Sequence, residues 1–382
     1  MSKKVLYIGG FYMPDGNAAA QRVLGIAKVL KECSCDVRFC GLAQNQNINI
    51  RDEGCIEGFH YINYPYPSTV VTWLKYLLGR DFSINEIKNY KPDIVILYNH
   101  PAFAIDHITN YCYKHNIKVI ADITEWYVPY GNLIFKLIKG YDTQRRMYSS
   151  HLKLDGLICI SSYLSNFYEN KGKLVIEVPP LTDISQSKWH QNYYRSDVSL
   201  KIVYAGSPAD NKDRLDLILN AMDDIWMEFK DKFHFEVFGL TLEEYRKKWG
   251  DKELRTYVTF RGRLPHKEII GELLSADFQI FLRPATLQNL AGFPTKFVET
   301  ITSGTLPITN LSSNLSQYIV DGENGFIIED INKEAIKNTL RRVIGLSRET
   351  IDDLKNKLDT CQFHYSAFIE DMNKFLCQAI KR

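Results

Sequence analysis

The chain has 382 residues, a length that two domains fill. Hydrophobic residues make up 45% and charged residues 24%, the balance of a globular chain with real cores and not of a disordered one. A formal net charge of +2 argues against a nucleic-acid partner, whose binding surface needs a strong basic excess.

In chain order, Lys4–Gly9 is a short apolar run that reads as a strand, and Ala18–Glu32 carries Val23, Ala27 and Leu30 at helical spacing. Asp36–Leu42, Asp93–Tyr98, Lys118–Asp122 and Gly156–Ile160 are again nearly continuous apolar runs, as parallel strands buried on both faces require. The periodic segments between them suit crossover helices. Val178–Arg195 breaks the rhythm with two prolines and many polar residues and is expected to be the linker. The alternation then restarts with strand Leu200–Ala205, helix Lys212–Phe229, strands Phe233–Gly239 and Tyr257–Phe260, and helix Pro265–Ser275. Strand Asp277–Leu282, helix Pro294–Ser303 and strands Thr305–Thr309 and Gly325–Ile328 complete it.

This pattern predicts an α/β architecture of two doubly wound Rossmann-like domains, residues 1–180 and 181–363, facing a central cleft. Ligands of such folds bind beyond the carboxyl ends of the strands. The tail 364–382 reads as a helix that packs back on the first domain. The 8 cysteines are scattered without C-x-x-C spacing, so reduced core thiols in a reducing compartment are expected. The opening MSKKVLYIGG has too short an apolar run for a signal peptide, and no stretch approaches the ~20 apolar residues of a membrane span. A cytoplasmic place, at most at the inner face of the membrane, follows as the expectation.

The stretch Gly292–Gly304 (GFPTKFVETITSG) carries the chemistry. Pro294 suits the first turn of a helix and Gly304 the position just past its end. Phe297, Val298 and Ile301 should face the core, while Lys296, Glu299 and Ser303 share the other side. A helix start preceded by Gly292 lets backbone N–H groups approach an anion, Lys296 adds a mobile cation suited to a diphosphate, and Glu299 can accept two hydroxyl hydrogen bonds, as from a ribose. An ordinary capped helix with a solvated polar face fits the same residues.

Gly292-Phe293-Pro294-Thr295-Lys296 with Glu299, Gly304 and Asn324-Gly325-Phe326 resembles the C-terminal signature of the group 1 (family 4) retaining glycosyltransferases of the GT-B fold. The resemblance implies transfer of a sugar from a UDP- or GDP-linked donor to a hydroxyl of a glycan or lipid-linked acceptor, with retention at the anomeric carbon. It implies a place in cell-surface polysaccharide or glycoconjugate biosynthesis. Glu299 would then hold the nucleotide ribose, and the amides of Gly292 and Phe293, at the start marked by Pro294, would meet the sugar and diphosphate. Many members carry a second glutamate eight positions earlier, where this chain has Ala291, so sugar recognition would rest on Asn289 and backbone.

The second domain opens with Tyr204-Ala205-Gly206-Ser207 and then Lys212. Relatives often place an arginine where Ser207 stands and a lysine near Lys212, both gripping the diphosphate. Arg283, at a strand end, would supply the missing cation, and Arg263 would lie near the base. In the first domain, the loop at Gly16 would offer amides to the donor, and Arg22 on the helix behind it would face the cleft or solvent. Relatives carry a histidine in the loop after Asp122, and this chain has Ile123-Thr124-Glu125-Trp126-Tyr127 there. Glu125 or Asp122 would orient the acceptor hydroxyl or take its proton. Asn99 and His100 would touch the acceptor. A strand-end residue that caps the next helix is the plainer reading of Asp122.

Family precedent implies front-face attack with no protein nucleophile, no cofactor and no metal; no D-x-D metal motif is present. Tyr127–Lys153, with Lys136, Lys139, Arg145 and Arg146, and with Trp73, Lys75 and Tyr76, could form a basic aromatic patch for peripheral membrane contact, or a solvated helix face. A nucleotide-sugar 2-epimerase and a non-catalytic partner subunit of a transferase are the competing functions. The first is disfavoured by the loop after Asp122, which lacks histidine, and the second is motivated by Ala291 and Ser207.

Overall fold

Nearly continuous apolar runs become the inner strands of two parallel sheets in the computed structural model of the chain, which describes residues 2–14, 17–43, 51–129, 131–191, 199–206, 213–250 and 255–381. The chain divides into two compact units: Met1–Leu181 with Ala291–Phe293 and His364–Arg382, and Thr182–Leu290 with Pro294–Phe363.

In the first unit the elements run β1 (Lys3–Gly9), α1 (Ala18–Glu32), β2 (Cys35–Leu42), β3 (Asp52–Ile56), β4 (Phe59–Tyr64), α2 (Val70–Leu77) and α3 (Ser83–Tyr90). They continue as β5 (Ile94–Tyr98), α4 (Ala102–Lys114), β6 (Lys118–Ile123), α5 (Leu133–Arg145), β7 (Gly156–Cys159), α6 (Ser162–Glu169) and β8 (Val175–Glu177). The sheet order is β3-β4-β2-β1-β5-β6-β7-β8. Every pairing is parallel except the β3–β4 hairpin, an edge that differs from the all-parallel expectation. Its turn is Glu57-Gly58, both at positive φ. The β3 sequence DEGCI is half exposed, so it never shows the continuous apolar run of an inner strand.

Helix α1 starts where the Asn17 side chain accepts from the Ala20 N–H at 2.9 Å, a cap that contributes about 1 kcal/mol. Its buried face, Val23, Ile26, Ala27 and Leu30, packs with β1 and β2 and with Met372, Phe375 and Leu376 of the C-terminal helix Ile369–Lys381. The tail therefore completes the core of the first unit.

In the second unit the elements are β9 (Leu200–Ala205), α7 (Leu215–Trp226), β10 (Phe233–Phe238), α8 (Leu242–Trp249), β11 (Val258–Gly262), α9 (His266–Ser275) and β12 (Phe278–Phe281). Then come α10 (Leu287–Ala291), α11 (Thr295–Thr302), β13 (Leu306–Thr309), β14 (Phe326–Ile327), α12 (Lys333–Ile344) and α13 (Arg348–Asn356), before the C-terminal helix, α14. The sheet is parallel in the order β11-β10-β9-β12-β13-β14. Strand order reverses between β9 and β12 here and between β1 and β5 in the first unit, and each reversal opens a crevice at the strand carboxyl ends.

The 8 cysteines are free thiols, with Cys35, Cys40, Cys112 and Cys159 buried but Cys55, Cys361 and Cys377 exposed, so the expectation of core thiols holds for only part of the set. No helix among the described residues is long and apolar enough to cross a membrane.

Candidate functional site

Helix α11 begins one residue later than expected. Pro294 is its N-cap, at φ −74° and ψ 107°, rather than its first helical residue. Phe297, Val298 and Ile301 are buried as the spacing predicts, each contributing about 1.5–3 kcal/mol of hydrophobic stabilisation. Gly304, at φ +68°, ends the helix in the left-handed region that glycine alone enters without strain.

This packing sends Lys296 to the reversal point between β9 and β12. Its ammonium lies 3.0 Å from the Tyr204 hydroxyl, sits 4.3 Å over the Tyr204 ring centroid, and pairs directly with the Asp213 carboxylate. The Tyr204 hydroxyl donates to the same Asp213 oxygen at 2.8 Å. Burial lowers the Lys296 pKa, Asp213 opposes the drop, and Arg283 adds to it. Burial, reinforced by Asp213, holds the Tyr204 phenol well above its ordinary value. Gly206 follows β9 at φ +150°, and a Cβ there would come within 2.1 Å of Lys296 Cε. Glycine at 206 thus makes room for the lysine side chain.

Arg283 follows β12 and is buried. Asn310 pins its backbone from both sides, accepting from the Arg283 N–H at 2.8 Å and donating to the Arg283 carbonyl at 2.9 Å. Its guanidinium donates to Asn289 Oδ1 at 2.9 Å, while Nη1 is buried with no hydrogen-bond partner among the described residues. Burial lowers the Arg283 pKa, and Asp213 again opposes the drop. Two cations and one carboxylate thus share one crevice, with an unspent N–H donor. That excess of positive charge attracts an anion.

The remaining expected donor residues fall differently. Glu299 lies one turn along α11 and meets His266 Nε2 at 2.9 Å, a partner the sequence reading missed. Asn289 is fully buried, giving its amide to the Pro284 carbonyl and accepting from the Arg283 guanidinium. Arg263 is exposed and pairs with Glu244 at 2.7 Å. Ala291–Phe293 groups with the first unit, where the Ser161 hydroxyl donates to the Ala291 carbonyl at 2.7 Å. Gly16, Ser207 and Lys212 lie outside the described residues. Asn324 serves its own turn, accepting from the Val320 N–H at 2.7 Å and donating to the Tyr318 carbonyl at 2.9 Å.

In the first unit, Asp122 departs from its expected role. It neither caps a helix nor faces an open site. Its fully buried carboxylate takes the Arg22 guanidinium at 2.7 Å and the Tyr7 hydroxyl at 2.6 Å. Arg22 accordingly faces the interior and not solvent, and also donates to the Val178 carbonyl at 3.0 Å. Glu125 is half-buried and has no hydrogen bond or ion pair among the described residues. Asn99 sits at φ +45° just past β5 and latches the loop after β6, its amide donating to Thr124 Oγ1 at 2.6 Å. His100 is buried, neither ring nitrogen makes a hydrogen bond of ordinary geometry among the described residues, and burial depresses its pKa, so the ring is neutral at pH 7. Among the described residues no cluster of three or more His, Cys, Asp or Glu could hold a metal ion.

One surface of the first unit is unusual. Helices α2 and α5 both pack on α4. They leave Val70, Val71, Leu74, Leu133, Ile134, Leu137 and Ile138 more than half exposed. Lys75 and Lys136 are exposed among them, and Lys139 lies 5.8 Å from the Tyr127 ring centroid. The one acid of α5, Asp142, is turned inward to the Ala102 N–H at 2.8 Å. Trp73 and Tyr76, expected on this surface, are partly buried, and Arg146 is buried.

Residues 186–358 match the family described as Glycosyl transferases group 1. No curated protein matches the chain in sequence. Among solved structures, the chain is similar to the catalytic domain of starch synthase IV from Arabidopsis thaliana bound to ADP and acarbose, with a TM-score of 0.72, 10% identity and 100% of both chains covered. It is similar to sucrose-phosphate synthase from Thermosynechococcus elongatus, with a TM-score of 0.69, 12% identity and 99% of each chain covered. It is also similar to Anabaena HepE in complex with UDP and glucose, with a TM-score of 0.65, 12% identity, and 98% of this chain and 99% of that one covered. What they share is the fold, two Rossmann-like α/β domains in the GT-B arrangement.

Proposed function

We propose that the chain is a retaining glycosyltransferase of group 1, family 4, which moves a sugar from a UDP- or GDP-linked donor to a hydroxyl of a glycan or lipid-linked acceptor. The observation that carries this reading is the cation pair Lys296 and Arg283 at the β9/β12 reversal, inside the segment that matches the family. The neighbours with bound ADP or UDP support a nucleoside diphosphate as the anion.

In this reading the acceptor hydroxyl attacks the anomeric carbon on the face from which the diphosphate departs. The bond between that carbon and the phosphate oxygen breaks, the diphosphate takes the electron pair, and the proton of the acceptor hydroxyl passes to the departing phosphate oxygen. Lys296 and Arg283 stabilise the charge that grows on it, in a crevice where water competes little. Glu299 holds the ribose hydroxyls, with His266 fixing the carboxylate. On the first unit, Glu125 is the carboxylate with an uncommitted oxygen to orient the acceptor hydroxyl. Asp122 is left out of the chemistry.

A melting panel with UDP, GDP and their sugars identifies the donor, because a ligand that binds the folded state raises its apparent stability. Slow release of the nucleoside diphosphate from that donor, undiminished by EDTA, is the expected result. Isomerised sugar, or binding without any release, would replace this reading with an epimerase or a binding subunit. Loss of release in EDTA would remove its metal independence.

The exposed apolar residues of α2 and α5, with Lys75, Lys136 and Lys139 among them, suit the surface of an anionic bilayer, which brings the enzyme to a lipid-linked acceptor at the inner face of the cytoplasmic membrane. Vesicles with anionic lipid should carry the protein upward in a flotation gradient. Replacing Ile134 and Leu137 by serine should leave it at the bottom. Wild-type protein that stays at the bottom at low salt contradicts the contact.

A further inference from the structure

Asp213 is an anion inside a site built for an anion. Its carboxylate pairs with Lys296 and accepts from the Tyr204 hydroxyl at 2.8 Å. It is slightly more buried than Arg283, at 7% exposure against 9%. The other charged or titratable groups that act on Lys296 are Arg283, which repels it, Tyr204, and Glu299, which is engaged with His266. Asp213 is therefore the carboxylate that offsets both cations when no ligand is present. Leaving two buried cations without a counter-charge is strongly unfavourable. An arriving diphosphate brings the same counter-charge in larger amount and repels Asp213.

We infer that Asp213 is a built-in counter-ion, which stands in for the diphosphate in the empty site and releases Lys296 when the diphosphate binds. This rests on the donor reading of Lys296 and Arg283. Asp213 thereby competes with the ligand for the lysine. It stabilises the empty protein and weakens nucleotide affinity, which favours release of the product diphosphate. It is a positioning residue: it acts on the donor through Lys296 and touches no reacting atom.

The test titrates UDP or GDP, whichever raises the melting temperature of the wild type, into wild-type protein and Asp213→Asn at pH 6.5. The amide keeps the shape and loses the charge. The expected variant melts lower when empty and binds the nucleotide at least fivefold more tightly. Its affinity also falls away at a lower alkaline pH than that of the wild type, because Lys296 no longer has the carboxylate that holds its proton. A merely structural aspartate would not move that pH profile. Equal or weaker binding by the folded variant at pH 6.5 overturns the inference. If the asparagine variant does not fold, Asp213→Glu replaces it. It keeps the charge on a longer arm and should match the wild-type affinity and pH profile, and a folded glutamate variant with a shifted profile overturns the inference. Failure of the wild type to bind either nucleotide is a different result, and it removes the donor reading itself.

Discussion

Lys296→Met is expected to lower kcat/KM for the sugar nucleotide by about 100- to 1000-fold, the usual effect of removing one preorganised group from a developing charge. Methionine keeps the length and apolar stem of lysine, so the Tyr204 ring and Gly206 keep a neighbour of similar shape. The fold should survive, with the far-ultraviolet spectrum unchanged. Steady-state kinetics on the donor that stabilises the wild type gives the number. Most of the loss should fall in kcat, because the lysine matters most when the diphosphate carries the charge of the broken bond. A variant with kcat within fivefold of the wild type would leave Lys296 a structural lysine. Arg283→Gln should behave in the same direction, since the Arg283 Nη1 is the N–H donor left unspent in the crevice.

The second large effect concerns stability. Asp122→Asn should destabilise the first unit by about 3–5 kcal/mol, because it strands the buried Arg22 guanidinium beside an uncharged amide. The melting transition of that unit should fall by roughly 10 °C. Lys296 and Arg283, the cations of the proposed donor site, lie in the second unit, so nucleotide affinity below the transition should change little. Arg22→Met combined with Asp122→Leu removes both charges together and should be more stable than either single variant, because the penalty comes from the unpaired partner and not from loss of the pair. A melting curve for Asp122→Asn that overlays the wild type would return Asp122 to the acceptor-contact or helix-cap reading of its strand-end position.

Strands were legible where both faces are buried. Leu200–Ala205 and Phe233–Phe238 are apolar almost throughout, so their identity needs no tertiary information. The β3–β4 hairpin was not, because an edge strand with one solvated face spells DEGCI. A two-residue Glu57-Gly58 turn between alternating segments was the available signal. At the donor site, Lys296 was legible from a local pattern of glycine, proline and helical spacing. Its partner Asp213 lies 83 positions away. Only the adjacency of β9 and β12 brings the two together, and that adjacency is a property of sheet order, not of spacing. Asp122 misled for the same reason. Read along the chain it ends a strand and suits an acceptor contact or a helix cap, but β6 is an inner strand, and α1 delivers Arg22 across 100 positions to cover it. His266 and Asn310 escaped because a single polar residue beside a helix start or strand end carries no local mark of what it will meet.

The most direct test of the whole account is the stereochemistry of the slow donor hydrolysis. Purified protein is incubated in EDTA with the α-linked sugar nucleotide that raises its melting temperature, and proton NMR follows the free sugar before it mutarotates. Front-face departure at the site built by Lys296 and Arg283 predicts that the α-anomer appears first, together with one nucleoside diphosphate, and that Lys296→Met slows the appearance of both by about 100-fold or more. The β-anomer appearing first, or a sugar isomerised without diphosphate release, would contradict it.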